Sequence, residues 1–171
     1  MKDRKISYIV LIICLFAVSG CGLSTTHYKE IEVSKLSENI QKSFTLKNKE
    51  KKYPQYYGGS YISNNHLIVL VLGDTSKVRK DLVKRCQGNN LALFSCQKQS
   101  DVTKKILHEL SNFRNDERNS QLMKELQLKS CYLNSNQRVS IELLSFQEDI
   151  FREKVIDSPF LDFEKTIIEL Q

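Results

Sequence analysis

The chain lacks the compact signatures of common catalytic chemistry: there is no CxxC, HExxH or GxSxG, and no phosphate-binding glycine loop. It has only three histidines, and their positions keep them apart. His27 falls in a polar N-terminal segment, His66 in a turn, and His108 off the apolar stripe of a helix, which leaves no metal site and no cofactor to expect. Acidic residues are scattered on helices beside lysines, the pattern of solvated faces. No arrangement offers a nucleophile with its base, so the expectation is a protein without enzymatic activity. An apolar run of membrane-spanning length is also missing. Ile6 to Val18 is the greasiest stretch, and it falls short of the roughly 20 residues a spanning helix needs. Long low-complexity tracts are absent, and 171 residues at 40% hydrophobic and 27% charged suit one compact domain or two small units sharing a core.

The N-terminus is rich in information. A basic head (MKDRK), the short apolar run and the small residues Val18-Ser19-Gly20 describe a secretory signal peptide over residues 1–20, cut between Gly20 and Cys21. The ending VSGC resembles the bacterial lipobox. That resemblance implies a lipidated Cys21, an anchor of diacylglyceryl and acyl chains (palmitate) rather than a catalytic thiol, on the extracytoplasmic side of a cell membrane or outer membrane. Acyl burial contributes about 0.8 kcal/mol per CH₂, enough for firm anchoring by two or three chains. Gly22, not aspartate, follows, which in lipoproteins of two-membrane cells implies inner-membrane retention. An ordinary signal peptide with a chance cysteine is the alternative. The chain after residue 20 carries 23 cations and 19 anions, a balance of +4, too modest and mixed for a nucleic-acid partner.

Residues 21–33, the cysteine and then GLSTTHYKEIEV, show no sustained apolar period and read as a tether of about 40 Å if extended at about 3.3 Å per residue. Residues 34–52 hold an amphipathic helix with Leu36, Ile40 and Phe44 at spacing four, then the basic run Lys47, Lys49, Lys51 and Lys52. That run reads as a solvated helix end, with contact to anionic headgroups as the other reading.

Two hairpins follow with similar wording, YGGSYISNNHLIVLVL over 57–72 and CYLNSNQRVSIELL over 131–144. Asn64-Asn65 and Asn134 to Asn136 supply residues that tolerate positive φ. Val139, Ile141 and Leu143 alternate with polar residues, and an offset of 72 maps them onto Leu67, Val69 and Val71. The first copy has a second apolar face, Ile68, Leu70 and Leu72, so that strand should be covered on both sides or show a stripe to a partner. A helix follows each hairpin. The first is capped by Thr75 or Ser76 and buries Val78, Leu82 and Cys86. The second opens on the capping-box pattern Ser145-Phe-Gln-Glu148 and buries Ile150, Phe151 and Val155. Third strands lie at 91–96 and 159–164. Between the halves, Val102, Ile106, Leu110 and Phe113 mark a connector helix, and Leu122, Met123 and Leu126 a shorter one. The expected fold is α+β: two pseudo-repeated β-β-α-β units, small antiparallel or mixed sheets with helices packed on them, joined by a helical connector. The first unit with its connector helix occupies 53–113, and the second with a C-terminal tail occupies 114–171.

With Cys14 in the signal and Cys21 at the anchor, Cys86, Cys96 and Cys131 remain. If the first helix runs antiparallel to its strands, Cys86 and Cys96 sit at opposite ends of a strand about 20 Å long, beyond a disulfide's reach of roughly 6 Å. Cys96 with Cys131 is the better candidate pair if a bond forms, and three buried reduced thiols are the favoured reading. Tyr53, Tyr56, Tyr57 and Tyr61 cluster around Gly58-Gly59. Their rings either cap the core or, through Tyr56 and Tyr57, form a contact patch for a protein partner.

Tyr57-Gly58-Gly59-Ser60-Tyr61-Ile62, a short turn, then Leu67 to Asp74 resembles the opening of the proregions of α-lytic protease and streptogrisin-type secreted serine proteases. The likeness is best over 57–113 and looser over 131–164. Ser63-Asn64-Asn65-His66 replaces the family's Asp-rich turn, and Gly73 stands where the family has threonine. Such proregions fold and inhibit their own protease by pairing sheet edges and placing a C-terminal tail in its active site. Here the chain stops at Gln171 with no protease domain, so the resemblance implies an inhibitor or chaperone acting in trans. The implied contact residues are Phe160, Asp162 and Glu164 on the last strand, with Leu170 and Gln171 in the tail; a frayed terminus is the alternative for that tail. Two rivals stand beside this: an envelope structural or immunity lipoprotein, and a small-ligand binder with a pocket lined by Tyr56, Tyr57 and Leu70.

Overall fold

The computed structural model describes residues 22–143 and 147–165. Gly20, Cys21, Ser145, Leu170 and Gln171 therefore lie outside the described residues, as do the expectations placed on them.

Helix α1 spans Gly22–Phe44. This corrects the reading of 21–33 as a tether, because the backbone is helical from Gly22 and Val33 is already fully buried. Helix compresses that stretch to about 1.5 Å per residue, less than half its extended reach. Strands β1 (Tyr57–Ser63) and β2 (His66–Leu72) form an antiparallel hairpin, closed by Asn64 and Asn65 at φ 49 and 59. Helix α2 (Thr75–Cys86) crosses to β3 (Leu91–Cys96), which pairs in parallel with β2. The cap of α2 is Asp74 rather than Thr75 or Ser76; its carboxylate accepts from the Ser76 amide at 2.8 Å.

Helix α3 (Gln99–Asn115), a 3-10 turn (Glu117–Asn119) and α4 (Ser120–Leu126) connect to the second copy. There β4 (Leu128–Leu133) and β5 (Val139–Leu143) are antiparallel, α5 (Glu148–Lys154) crosses, and β6 (Leu161–Lys165) is parallel to β5. Both sheets share one strand order, first–second–third, and each register slips near the start of its first strand, at Tyr57/Gly59 and at Leu128/Ser130. The cap of α5 is Gln147, which makes no side-chain capping bond, and Ile150 is 38% exposed rather than buried; Phe151 and Val155 do enter the core.

The alternation in β2 sets the layering. Leu67, Val69 and Val71 face α1 (Leu36, Ile40, Phe44) and α2 (Leu82, Cys86). Ile68 and Leu70 face the other way, into a core shared with α3 (Val102, Ile106, Leu110), β5 (Val139, Ile141, Leu143) and Phe151. The first sheet is thus covered on both faces by the chain itself, and α3 touches both sheets.

Gly59 sits where the two halves touch. Its φ is +149, and a Cβ there would stand 2.9 Å from both the Asp157 carbonyl oxygen and the Ser158 Cβ; Gly73, at φ +98, has open space around it. Gly59→Ala should therefore cost on the order of 3 kcal/mol, whereas Gly73→Ala should cost about 1 kcal/mol from backbone strain alone. Urea denaturation of the two variants against wild type measures the difference.

Candidate binding surface

The seam between halves is built on Asp157. Its backbone forms a bridge with β1: the Ser60 amide donates to the Asp157 carbonyl at 2.7 Å, and the Asp157 amide donates to the Ser60 carbonyl at 2.9 Å. Ser158 donates from Oγ to the Gly58 carbonyl at 2.5 Å. Asp157 is fully buried, and its Oδ1 accepts from Tyr53 at 2.7 Å, Lys51 at 2.9 Å and Arg152 at 3.3 Å. Its buried Oδ2 has no hydrogen-bond partner among the described residues. Burial opposes the Arg152 charge, but Tyr53, Glu148 and Asp157 hold its pKa above the ordinary value. Burial first, then Asp157, pushes the Tyr53 phenol well above its usual range, so it remains a donor. The basic run is thus not wholly a solvated end: Lys51 turns inward while its neighbours stay outside.

The tyrosine cluster belongs to this seam. Tyr57 is 1% exposed and packs against Phe44 and Tyr53, with ring centroids 4.6 and 5.4 Å away, while its hydroxyl meets Ser60 Oγ at 2.7 Å. A partner cannot reach it, so of the two readings of the tyrosine cluster Tyr57 follows the first, a ring that caps the core. Tyr56 is half-buried and donates to Asp81, with burial first and Asp81 second raising its pKa to about 12. Leu70 is fully buried too, so Tyr57 and Leu70 both belong to the packed core. A cleft of about 680 Å³ lies elsewhere, walled by Tyr61, Ile62, the Asn64-Asn65 turn, Glu109, Phe113 and Lys154.

Cys86, Cys96 and Cys131 are free thiols, in line with the favoured reading of three reduced cysteines, and the candidate Cys96–Cys131 bond is not formed. Cys96 ends β3 of the first sheet and Cys131 lies in β4 of the second, with α3 touching both sheets. Burial pushes all three thiols up, Cys86 to about 12, and so favours their neutral form. Among the described residues no group of three His, Cys, Asp or Glu is placed to hold a metal. No described helix is long and apolar enough to cross a membrane.

The residues expected to meet a partner gather on the second sheet. β6 is an edge strand there, paired to β5. Phe160 is half-buried just before it and Glu164 is exposed on it. Asp162 is fixed by Arg138 Nε at 2.5 Å and Asn134 Nδ2 at 2.9 Å. Tyr132 spans the sheet to Glu164, its hydroxyl 2.8 Å from each carboxylate oxygen, and Lys129 pairs with Glu142 at 2.9 Å. The outer face is therefore a ladder of polar side chains, with the apolar set Val139, Ile141 and Leu143 turned to the core. Arg138 also donates to the Pro159 and Leu161 carbonyls at 2.7 and 3.1 Å, which sets where β6 begins.

Residues 24–96 match a family described as "Pro-like N-terminal domain", which supports a proregion-like domain for that part of the chain. No curated protein and no solved structure matches the chain. The matched span runs from α1 through β3, the first β-β-α-β unit with the helix that covers it.

Asp157→Ala should cost about 3 kcal/mol, because it removes the buried acceptor shared by Lys51, Tyr53 and Arg152 and leaves Arg152 only Glu148 and the Ser158 carbonyl. Lys51 is partly solvated, so Lys51→Met should cost less, and its effect should shrink further in the Asp157→Ala background. Denaturation of the two single variants and the double variant reads both effects.

Proposed function

We propose that this protein is a non-catalytic, proregion-like binding module, anchored by lipid at Cys21 on the extracytoplasmic side of a membrane. It acts in trans as an inhibitor or folding chaperone of a secreted serine protease. The observation that carries this reading is the proregion-like match over 24–96. The open edge at β6 supports it further: an edge strand offers unpaired backbone groups that a partner's strand can extend, and the polar ladder beside it remains soluble when unoccupied. Phe160, Asp162 and Glu164 give that edge its side-chain character, and Leu170 and Gln171 supply the tail that enters the protease cleft. A small-ligand role has one observation in its favour, the 680 Å³ cleft, whose volume is within the usual range for ligand sites.

The direct test mixes the protein with α-lytic or streptogrisin-type proteases and follows peptide hydrolysis and protease refolding. The full chain should slow hydrolysis or speed refolding, and a chain ending at Glu164 should fold equally well yet lose most of the effect. Neither effect at saturating protein would sink the proregion reading. Anchoring is read separately: palmitate labelling in cells should mark the wild-type chain and leave Cys21→Ser unlabelled.

A further inference from the structure

Charge is divided unequally between the two halves. Residues 32–86 hold eleven cations against five anions, whereas residues 87–171 hold eleven against thirteen. Within the basic part, four of the five anions are engaged internally. Glu38 pairs with Lys42, Glu50 accepts from Asn48, Asp74 caps α2, and Asp81 takes Arg85 and Tyr56. Lys47, Lys49, Lys52, Lys77, Lys80 and Lys84 are exposed and form no ion pair among the described residues.

Their arrangement is built rather than loose. After α1 the chain makes a tight reversal: Thr45 bridges Lys51, the Leu46 amide donates to the Glu50 carbonyl at 2.7 Å, and the Lys52 amide donates to the Phe44 carbonyl at 2.7 Å. Lys49 takes φ 67 in the turn. Leu46, a large apolar side chain, is 45% exposed in the same turn that carries the exposed Lys47, Lys49 and Lys52. Arg85 ties this reversal to α2: its guanidinium lies 5.2 Å from the Phe44 ring centroid and reaches the Ser43 carbonyl at 3.4 Å. Lys77, Lys80 and Lys84 follow helical spacing along α2.

We propose that this face, the 45–52 reversal with the lysine stripe of α2, is a docking surface for an anionic phospholipid bilayer. The lysines attract the headgroup charge, and Leu46 enters the acyl boundary between them. Each lysine near an anionic surface contributes on the order of 1 kcal/mol, so six suffice to hold the body against the membrane. The contact also orients the molecule, turning its basic half to the lipid and leaving the β6 edge, in the acidic half, for another partner. It stands on charge and exposure alone, independent of the proregion reading and of lipid at Cys21.

The test uses the chain beginning at Gly22, which has no acyl anchor and retains every residue of both described cores, with its fold checked by circular dichroism. Co-sedimentation with phosphatidylglycerol vesicles is compared with phosphatidylcholine vesicles. Binding should appear on the anionic vesicles only and fall away between about 0.1 M and 1 M salt, as the Debye length drops from about 10 Å to about 3 Å. Changing Lys47, Lys49 and Lys52 to Gln together should weaken it roughly a hundredfold. Leu46→Ser should weaken it at every salt concentration. Changing Lys104, Lys124 and Lys154 to Gln should leave it unchanged. Equal binding to both vesicle types, no binding to either, or equal loss in the two lysine triples would overturn the proposal. So would complete competition by free inorganic phosphate at matched ionic strength.

Discussion

The pairing of Asp157 with the outer edge of β1 is the contact on which the two halves depend. Its backbone bridge to Ser60 occupies a sheet edge that would otherwise be open, and its carboxylate draws in Lys51 and Tyr53 from before β1 and Arg152 from α5. Two stretches far apart in the chain, 51–53 and 152–157, thereby meet at one buried oxygen. A buried carboxylate is costly unless compensated, and here two cations and a phenol supply the compensation. Gly59 follows from this geometry, since only the absence of a Cβ lets the Asp157 carbonyl come so close.

The two units repeat one architecture, and they differ in how their sheets are covered. Both units have the same strand order, the same parallel closing strand and a bulge at the same place. The first unit is apolar on both faces of β2 and sits between helices and the shared core. The second keeps one apolar face, and its other face carries Tyr132, Glu142, Asp162 and Glu164. A sheet buried on both sides serves as scaffold, while a one-sided sheet with an edge at β6 has surface to offer. The proregion-like match falls on the scaffold half, so the division of labour between the units is where the proposed role differs from the simple resemblance.

Electrostatics follows the same division. The half nearest the N-terminus holds four of its five anions in internal bonds and leaves lysines outside, whereas the far half is weakly acidic.

How much of this was legible in the chain depends on the range of the interaction involved. Local and periodic signals carried the β-β-α-β repeat, the two-faced β2, the Asn64-Asn65 turn and the connector stripe of Val102, Ile106 and Leu110, because alternation and turn chemistry act between near neighbours. They erred at element ends, where Asp74 rather than Thr75 caps α2 and where α1 begins at Gly22, since a helix start rests on packing as much as on period. The side-chain roles were decided only by tertiary structure. Tyr57 became core and not contact because Phe44 and Tyr53 close over it; Lys51 left its solvated run because Asp157, 106 residues away, needed a charge. No pattern within a short window reports such a partner, because burial and neutralisation belong to the folded ensemble of distant groups and not to any stretch of sequence.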